Sequence, residues 1–349
     1  MPAQTAALWI SRVSSAIIAL IASCAAPAHS FAEKLVVAEG AHIIGYAPAY
    51  IAQDQGYFKD AGVDVEIVLS HGSAQAVAAV VGGSADLTLA TAQDVLNAVA
   101  HGRQLRMILG ITNQPQLLLT VSPKLLEKAN VTAASPVADR ARALKGARIA
   151  ISTPGSMTDE VLRTILKLGG LDPDRDVSII AMGGSGAPML AALQRGNIDG
   201  FVLSPPAGNE AQAKDFGTIL VNLMAGDLDK YRGMLFQVGA VAPGTLEHRK
   251  PVLTAFLGAI ARSQELIAKH PDEAEGLARK AFPTIDPDVF KAAFTAALPS
   301  FLPDPSIPGA GLDKALAFSP LAGKASAAEL VDEGPAHDAM ARAGSTGAK

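Results

Sequence analysis

Cysteine is all but missing. Cys24 is the only one in the chain, and it falls near the start, so no disulfide staples the rest. Aromatic residues make up 5%, too few for a base-stacking platform or an aromatic carbohydrate groove. There is no basic excess either: 29 Lys and Arg stand against 33 Asp and Glu, for a net charge of −4. With no lysine- or arginine-rich run, the composition argues against a nucleic-acid partner. Gly-x-Ser-x-Gly elbows, Walker loops and His-Glu-x-x-His helices are absent from the sequence, which removes the commonest hydrolase, nucleotide-binding and metalloprotease signatures. The glycine-rich "GGSGAP" lacks the Lys-Ser/Thr of a phosphate loop. His42 and His71 fall short of the three or four ligands a zinc site needs. No metal and no cofactor is expected.

What is present begins with a different kind of segment. Arg12 precedes the apolar run "AIIALIA", then small residues, which reads as a secretory leader too short to span a membrane. Residues 1–32 are expected to be removed, giving a periplasmic protein. "LIASC" also resembles a lipobox around Cys24, but Ala28-His29-Ser30 and Ser30-Phe31-Ala32 offer peptidase sites shortly after it, and simple cleavage is the expectation. No second apolar run of spanning length follows.

A chain of 349 residues suggests two domains, each able to bury a core. Strand, Gly/Ser/Thr loop and apolar-periodic helix recur in that order: "VDVEIVLS" before Gly72-Ser73, "ADLTLA" before Thr91, "ARIAIS" before "TPGS", and "VSIIAM" before Gly183-Gly184-Ser185. Alternation of this kind implies an α/β architecture with mainly parallel sheets. Two units repeat one another, since Gly83-Ser84-Ala85-Asp86 and Gly196-Asn197-Ile198-Asp199 stand at equivalent points. The glycine suits a helix end, and the aspartate a tight turn into the next strand. Two similar lobes are expected: 33–122 in the first, 123–228 in the second, 229–320 returning to the first, and 321–349 as a loose tail.

Ligands of open α/β sheets bind at the carboxyl ends of strands, where helix N-termini face a crevice. Each recurring loop places a hydroxyl residue there. Ser156 to Asp159 has capping-box spacing, Thr91 to Asp94 the same, and Ser73 and Ser185 also sit as N-caps. None of these loops carries Lys or Arg, so an arginine fork for a dicarboxylate or polyanion is missing. Their acids, Asp94, Asp159 and Glu210, read as favouring helix dipoles. The cleft should suit a singly charged or neutral small molecule.

Gly45-Tyr46-Ala47-Pro48-Ala49-Tyr50-Ile51-Ala52, then Gly56-Tyr57-Phe58, Gly62 and Val65-Glu66-Ile67, closely resembles the start of nitrate/sulfonate/taurine-type solute-binding proteins of ABC importers. The likeness continues through "AVVGGSADLTLAT", "LKGARIAISTPGS" and "LQRGNIDGFVLSPP". It implies a two-lobed periplasmic binding protein of type II, each lobe a mainly parallel sheet flanked by helices, joined by two crossover strands. It also implies a monomer that delivers its solute to an ABC permease and carries out no catalysis. Carried over by position, the ligand-binding candidates are His42, Tyr46, Gly72, Ser73, Thr91, Asn113 and Gln114 from the first lobe. The second lobe supplies Thr153, Ser156, Met157, Gly184, Ser185 and Ser204. Ser204-Pro205-Pro206 departs from the aromatic or charged residues common there, so the familiar ligands do not transfer directly. An alkanesulfonate-like monoanion is the first expectation, an aromatic monocarboxylate or neutral heterocycle the second. The alternatives are a receptor for a membrane sensor, or a thiamine-pathway synthase of related fold, which would need a cofactor lysine and a cysteine cluster.

Overall fold

The computed structural model describes residues 32–346. The expected leader, Cys24 included, falls outside them apart from Ala32. Ten strands run in chain order: β1 (Glu33–Glu39), β2 (Val63–Leu69), β3 (Leu87–Thr91), β4 (Arg106–Gly110), β5 (Leu118–Val121), β6 (Arg148–Ile151), β7 (Ser178–Ala181), β8 (Gly200–Leu203), β9 (Thr218–Asn222) and β10 (Gln237–Val241). They form two five-stranded sheets of matching plan, β2-β1-β3-β10-β4 and β7-β6-β8-β5-β9. In each sheet the fourth strand alone is antiparallel to its neighbours. That strand is the first the chain makes after crossing from the other lobe, and each carries a register shift, at Gly239/Ala240 in β10 and Leu119/Thr120 in β5.

The inner strands read as continuous apolar runs because helices cover both faces. Leu87, Leu89, Ile149 and Phe201 are all fully buried. The repeated aspartate does more than tighten a turn. Asp86 accepts the backbone N–H of Val36 at 2.8 Å, and Asp199 that of Arg148 at 2.9 Å. Each thereby clips the strand it opens to the neighbouring parallel strand, β3 to β1 in one sheet and β8 to β6 in the other. Gly83 and Gly196 ahead of them take positive φ, +75° and +70°, where a Cβ would be strained.

Two expectations need correction. β5 pairs with β8 and β9 in the second sheet, so the chain leaves the first lobe after Gly110, ahead of the boundary set at Ser122. The apolar stretch "PQLLLTVSP" reads alike whether it closes one sheet or opens another. The segment 321–349 is also not a loose tail over its described part. Helix Gly334–Thr346 buries Ala336 and Ala339, packs on the long helix Lys250–Lys269, and pairs Asp338 with Lys250 at 3.0 Å. Small alanines on one face let two helices approach closely; the alanine-rich composition hid a docking surface. Among the described residues, no helix is long and apolar enough to cross a membrane.

Candidate functional site

Five parallel strands end at one place between the lobes, and β10 begins there. Gly40 and Ala41 follow β1, Thr91 ends β3, Ser152 follows β6, Gly184 lies beyond β7, Ser204 follows β8, and Phe236 and Gln237 lead into β10. With Ile43, Tyr46, Ser73, Asp94, Ser156, Met157, Thr158 and Leu203 they line a cavity of about 40 Å³, room for about three waters. The lobes touch around it. Ile44 N–H donates to the Pro205 carbonyl at 3.2 Å, Gly184 N–H to that of His71 at 2.9 Å, and Asn97 Nδ2 to that of Gly155 at 3.0 Å.

Of the residues anticipated from sequence, Tyr46, Ser73, Thr91, Ser156, Met157, Gly184 and Ser204 meet in this cavity. His42, Gly72, Asn113, Gln114, Thr153 and Ser185 are not among its lining. His42 lies on the far side of Glu39, its ring 4.8 Å from Tyr50 and 4.6 Å from Phe282. Both its ring nitrogens meet acceptors, Glu39 Oε1 at 3.2 Å and the Ala281 carbonyl at 2.9 Å, so only the imidazolium serves both. Burial works against that charge, yet the bonds to Glu39 and Ala281 outweigh it, and His42 titrates above its ordinary range. Gln114 ties the two crossings together, its Nε2 donating to the Leu223 carbonyl at 2.6 Å. The Asn113 N–H bonds Ser300 at 2.9 Å. Thr153 lines an outer groove with Asn97 and Gly155. Gly72 packs against Gly184 across the lobes, and Ser185 opens the helix Gly186–Gln194.

The serines do not cap as expected. Ser156 and Ser185 are N-caps whose side chains make no capping bond, and Gly72 takes the place given to Ser73. At the Ser156 helix, Asp159 reaches back to accept the Gly155 N–H at 2.8 Å, and the serine hydroxyl turns to other partners. It joins Ser152 and Thr158 in a triangle with sides of 2.8 to 2.9 Å. Sequence reasoning missed Ser152 and Thr158 because only the first hydroxyl of a helix start was weighed. Thr91 is a true cap, accepting the Asp94 N–H at 3.1 Å while donating to Asp94 Oδ2 at 2.6 Å. Thr91→Ala is therefore expected to cost about 1–2 kcal/mol in urea unfolding; no loss would mean that neither bond matters in solution.

Asp94 is the only charged residue among the described lining residues. Burial pushes its carboxyl up to about 6, against the hydroxyl bond from Thr91. Tyr46 is held above the ordinary phenol range by burial first and then by the charges of Glu39 and Asp94, against a hydrogen bond with Ser73. Gln237 is fully buried. Its backbone N–H donates to Thr112 Oγ1 at 3.0 Å, and the Thr112 hydroxyl donates to its side-chain oxygen. The cavity thus combines hydroxyls, one carboxylate and one amide, with no cationic side chain among the described lining residues. Among the described residues, no group of three or more His, Cys, Asp or Glu is placed to hold a metal ion.

The sequence model of the NMT1-like family matches residues 41–284. Among solved structures, one from Bordetella bronchiseptica shares 29% identity at a TM-score of 0.76, covering 89% of this chain and 98% of its own. The alkanesulfonate-binding protein SsuA from Xanthomonas axonopodis, bound to MOPS, shares 17% identity at a TM-score of 0.65, over 88% of this chain and 97% of its own. The desulfurization enzyme DszB shares 16% identity at a TM-score of 0.62, over 89% and 99%. These likenesses place the two matched sheets in the two-lobed binding-protein fold. Because that fold is shared by a binding protein and an enzyme, function has to be argued from the site.

Proposed function

The chain belongs to the NMT1-like family, and from that premise we propose that it is an extracytoplasmic solute receptor serving an ABC importer. It closes two lobes on a small organic molecule and hands it on unchanged. The observation that carries this reading is the cavity itself, walled by strand ends of both sheets and closed over by hydrogen bonds between the lobes. A hinged clamp needs that arrangement, since its solute must touch both halves to hold them shut. For chemistry the site is poorly equipped. Its hydroxyls Ser152, Ser156 and Thr158 bond one another, and no His or Lys stands among the described lining residues to activate a nucleophile.

Melting shifts of mature protein, unfolded and refolded to strip carried solute, test this. The panel holds sulfonates, taurine, nitrate, monocarboxylates, pyrimidines, amides and urea. A solute at ~100 times its dissociation constant adds about 2.7 kcal/mol, a rise of roughly 5–10 °C for lobes of this size. Refolded protein that shifts with no member of the panel would overturn the receptor reading.

A further inference from the structure

We infer that the solute is an N–H donor that also carries an acceptor, of the amide or urea class and neutral or cationic, in place of the alkanesulfonate-like monoanion suggested by the sequence. The inference rests on the receptor reading above and concerns the same cavity. Two side chains carry it. Asp94 is 7% exposed; one carboxylate oxygen takes the Thr91 hydroxyl at 2.6 Å, and among the described residues no hydrogen bond reaches the other. Gln237 is 0% exposed, and its Nε2 has no partner. Its side-chain oxygen accepts the Thr112 hydroxyl, whose own oxygen accepts the Gln237 backbone N–H. A buried unpaired donor costs free energy until something accepts from it. Both residues belong to the lining of one cavity of about 40 Å³, with Nε2 set beside Gly45 at its wall and Asp94 also bordering the outer groove; a compact solute held there is the group available to pair with both. It must accept from Gln237 and donate to Asp94.

A full anion is poorly matched. Among the described lining residues it would meet no cationic side chain and one carboxylate. Of the four helices that start at the cavity, two hold acids in their first turns, Asp94 in one and Asp159 and Glu160 in the other, which offsets their dipoles. Those starting at Ser73 and Gly186 hold none, so an anion would have two helix ends and no side-chain cation to balance Asp94. The other titratable groups around Asp94 do not change the balance. Tyr46 faces it as a neutral phenol with Glu39 acting from behind. Across the outer groove stand His101, Asp159, Glu160 and Arg163, the last bound to Asp159 and Asp174 at 2.8 Å each.

Calorimetric titration of the stripped mature protein decides the matter. The probes are acetamide and urea against nitrate, methanesulfonate and taurine, near pH 7.5 and near pH 5, with wild type and Asp94→Asn. An N–H donor from the first set should bind near pH 7.5 and weaken about tenfold near pH 5, as Asp94 takes up its proton at about 6. The same probe should weaken at least about tenfold in Asp94→Asn. Anions that bind, and bind more tightly near pH 5 or to the variant, would overturn the solute class and leave the receptor intact. No binding by either set to folded protein, together with a flat melting panel, would overturn both.

Discussion

Asp94→Asn is expected to melt several degrees above the wild type near pH 7.5. In the folded chain burial holds the Asp94 carboxyl at about 6, against an ordinary 3.8. A raised carboxyl favours the folded state only while it is protonated. Its contribution is therefore complete below about pH 3.8 and is lost as pH rises through about 6. Above that range the native protein carries a penalty of about 3 kcal/mol for an ionised carboxylate that burial has stripped of most of its hydration. Asparagine keeps the shape, keeps an acceptor for the Thr91 hydroxyl and drops the charge. A gain of about 2 kcal/mol near pH 7.5, vanishing near pH 4, is the expected pattern in urea unfolding across that range. A variant less stable than wild type near pH 7.5 would show the carboxylate to be better solvated than its burial implies. An acid kept at such a cost belongs with sites that trade stability for binding.

Gly184→Ala should leave the solute-free protein within about 0.5 kcal/mol of wild type and still bind its solute about 5–150-fold more weakly. A Cβ at Gly184 would stand 2.9 Å from the Gly40 carbonyl oxygen, 3.3 Å from the Ala41 Cβ and 3.4 Å from the Gly72 Cα. All three belong to the opposite lobe, so the methyl group acts as a wedge between halves and not as a fault within one. Overpacking of this kind costs about 1–3 kcal/mol, which converts to that range of affinity. Scattering should show the alanine variant failing to contract fully with solute. Unchanged affinity would mean that the lobes need not meet at this point.

Much of this was legible in the chain, for identifiable reasons. The two Gly-x-x-Asp steps gave away the repeated lobe, because a positive-φ turn and a strand clip each demand particular residues. Hydroxyls at strand ends gave away the cavity's position. Asp94 and Gln237 were harder. An acid in the first turn of a helix has a sufficient local reason to be there, and only the fold shows that Asp94 is also largely buried. Gln237 interrupts the apolar "GMLFQVGAV", a signal that was available, since an amide inside a buried strand needs partners. His42 misled because a loop histidine after the first strand looks the same whether it faces the cleft or, as here, turns behind Glu39. The capping serines misled for the opposite reason: the rule that they cap is strong, and here the Ser156 hydroxyl is taken up by Ser152 and Thr158 instead.

The place of β10 in the first sheet bears on how the chain is made. β5 to β9 are consecutive in sequence, so the second lobe has every strand it needs once Asn222 has been synthesised. The first lobe does not. β10 lies between β3 and β4, and until Gln237–Val241 emerge, β4 has no strand beside it and its half of the sheet stands open. The lobe that holds β1 is therefore the last to be completed, and a chain of this topology passes through most of its synthesis with that lobe unable to close.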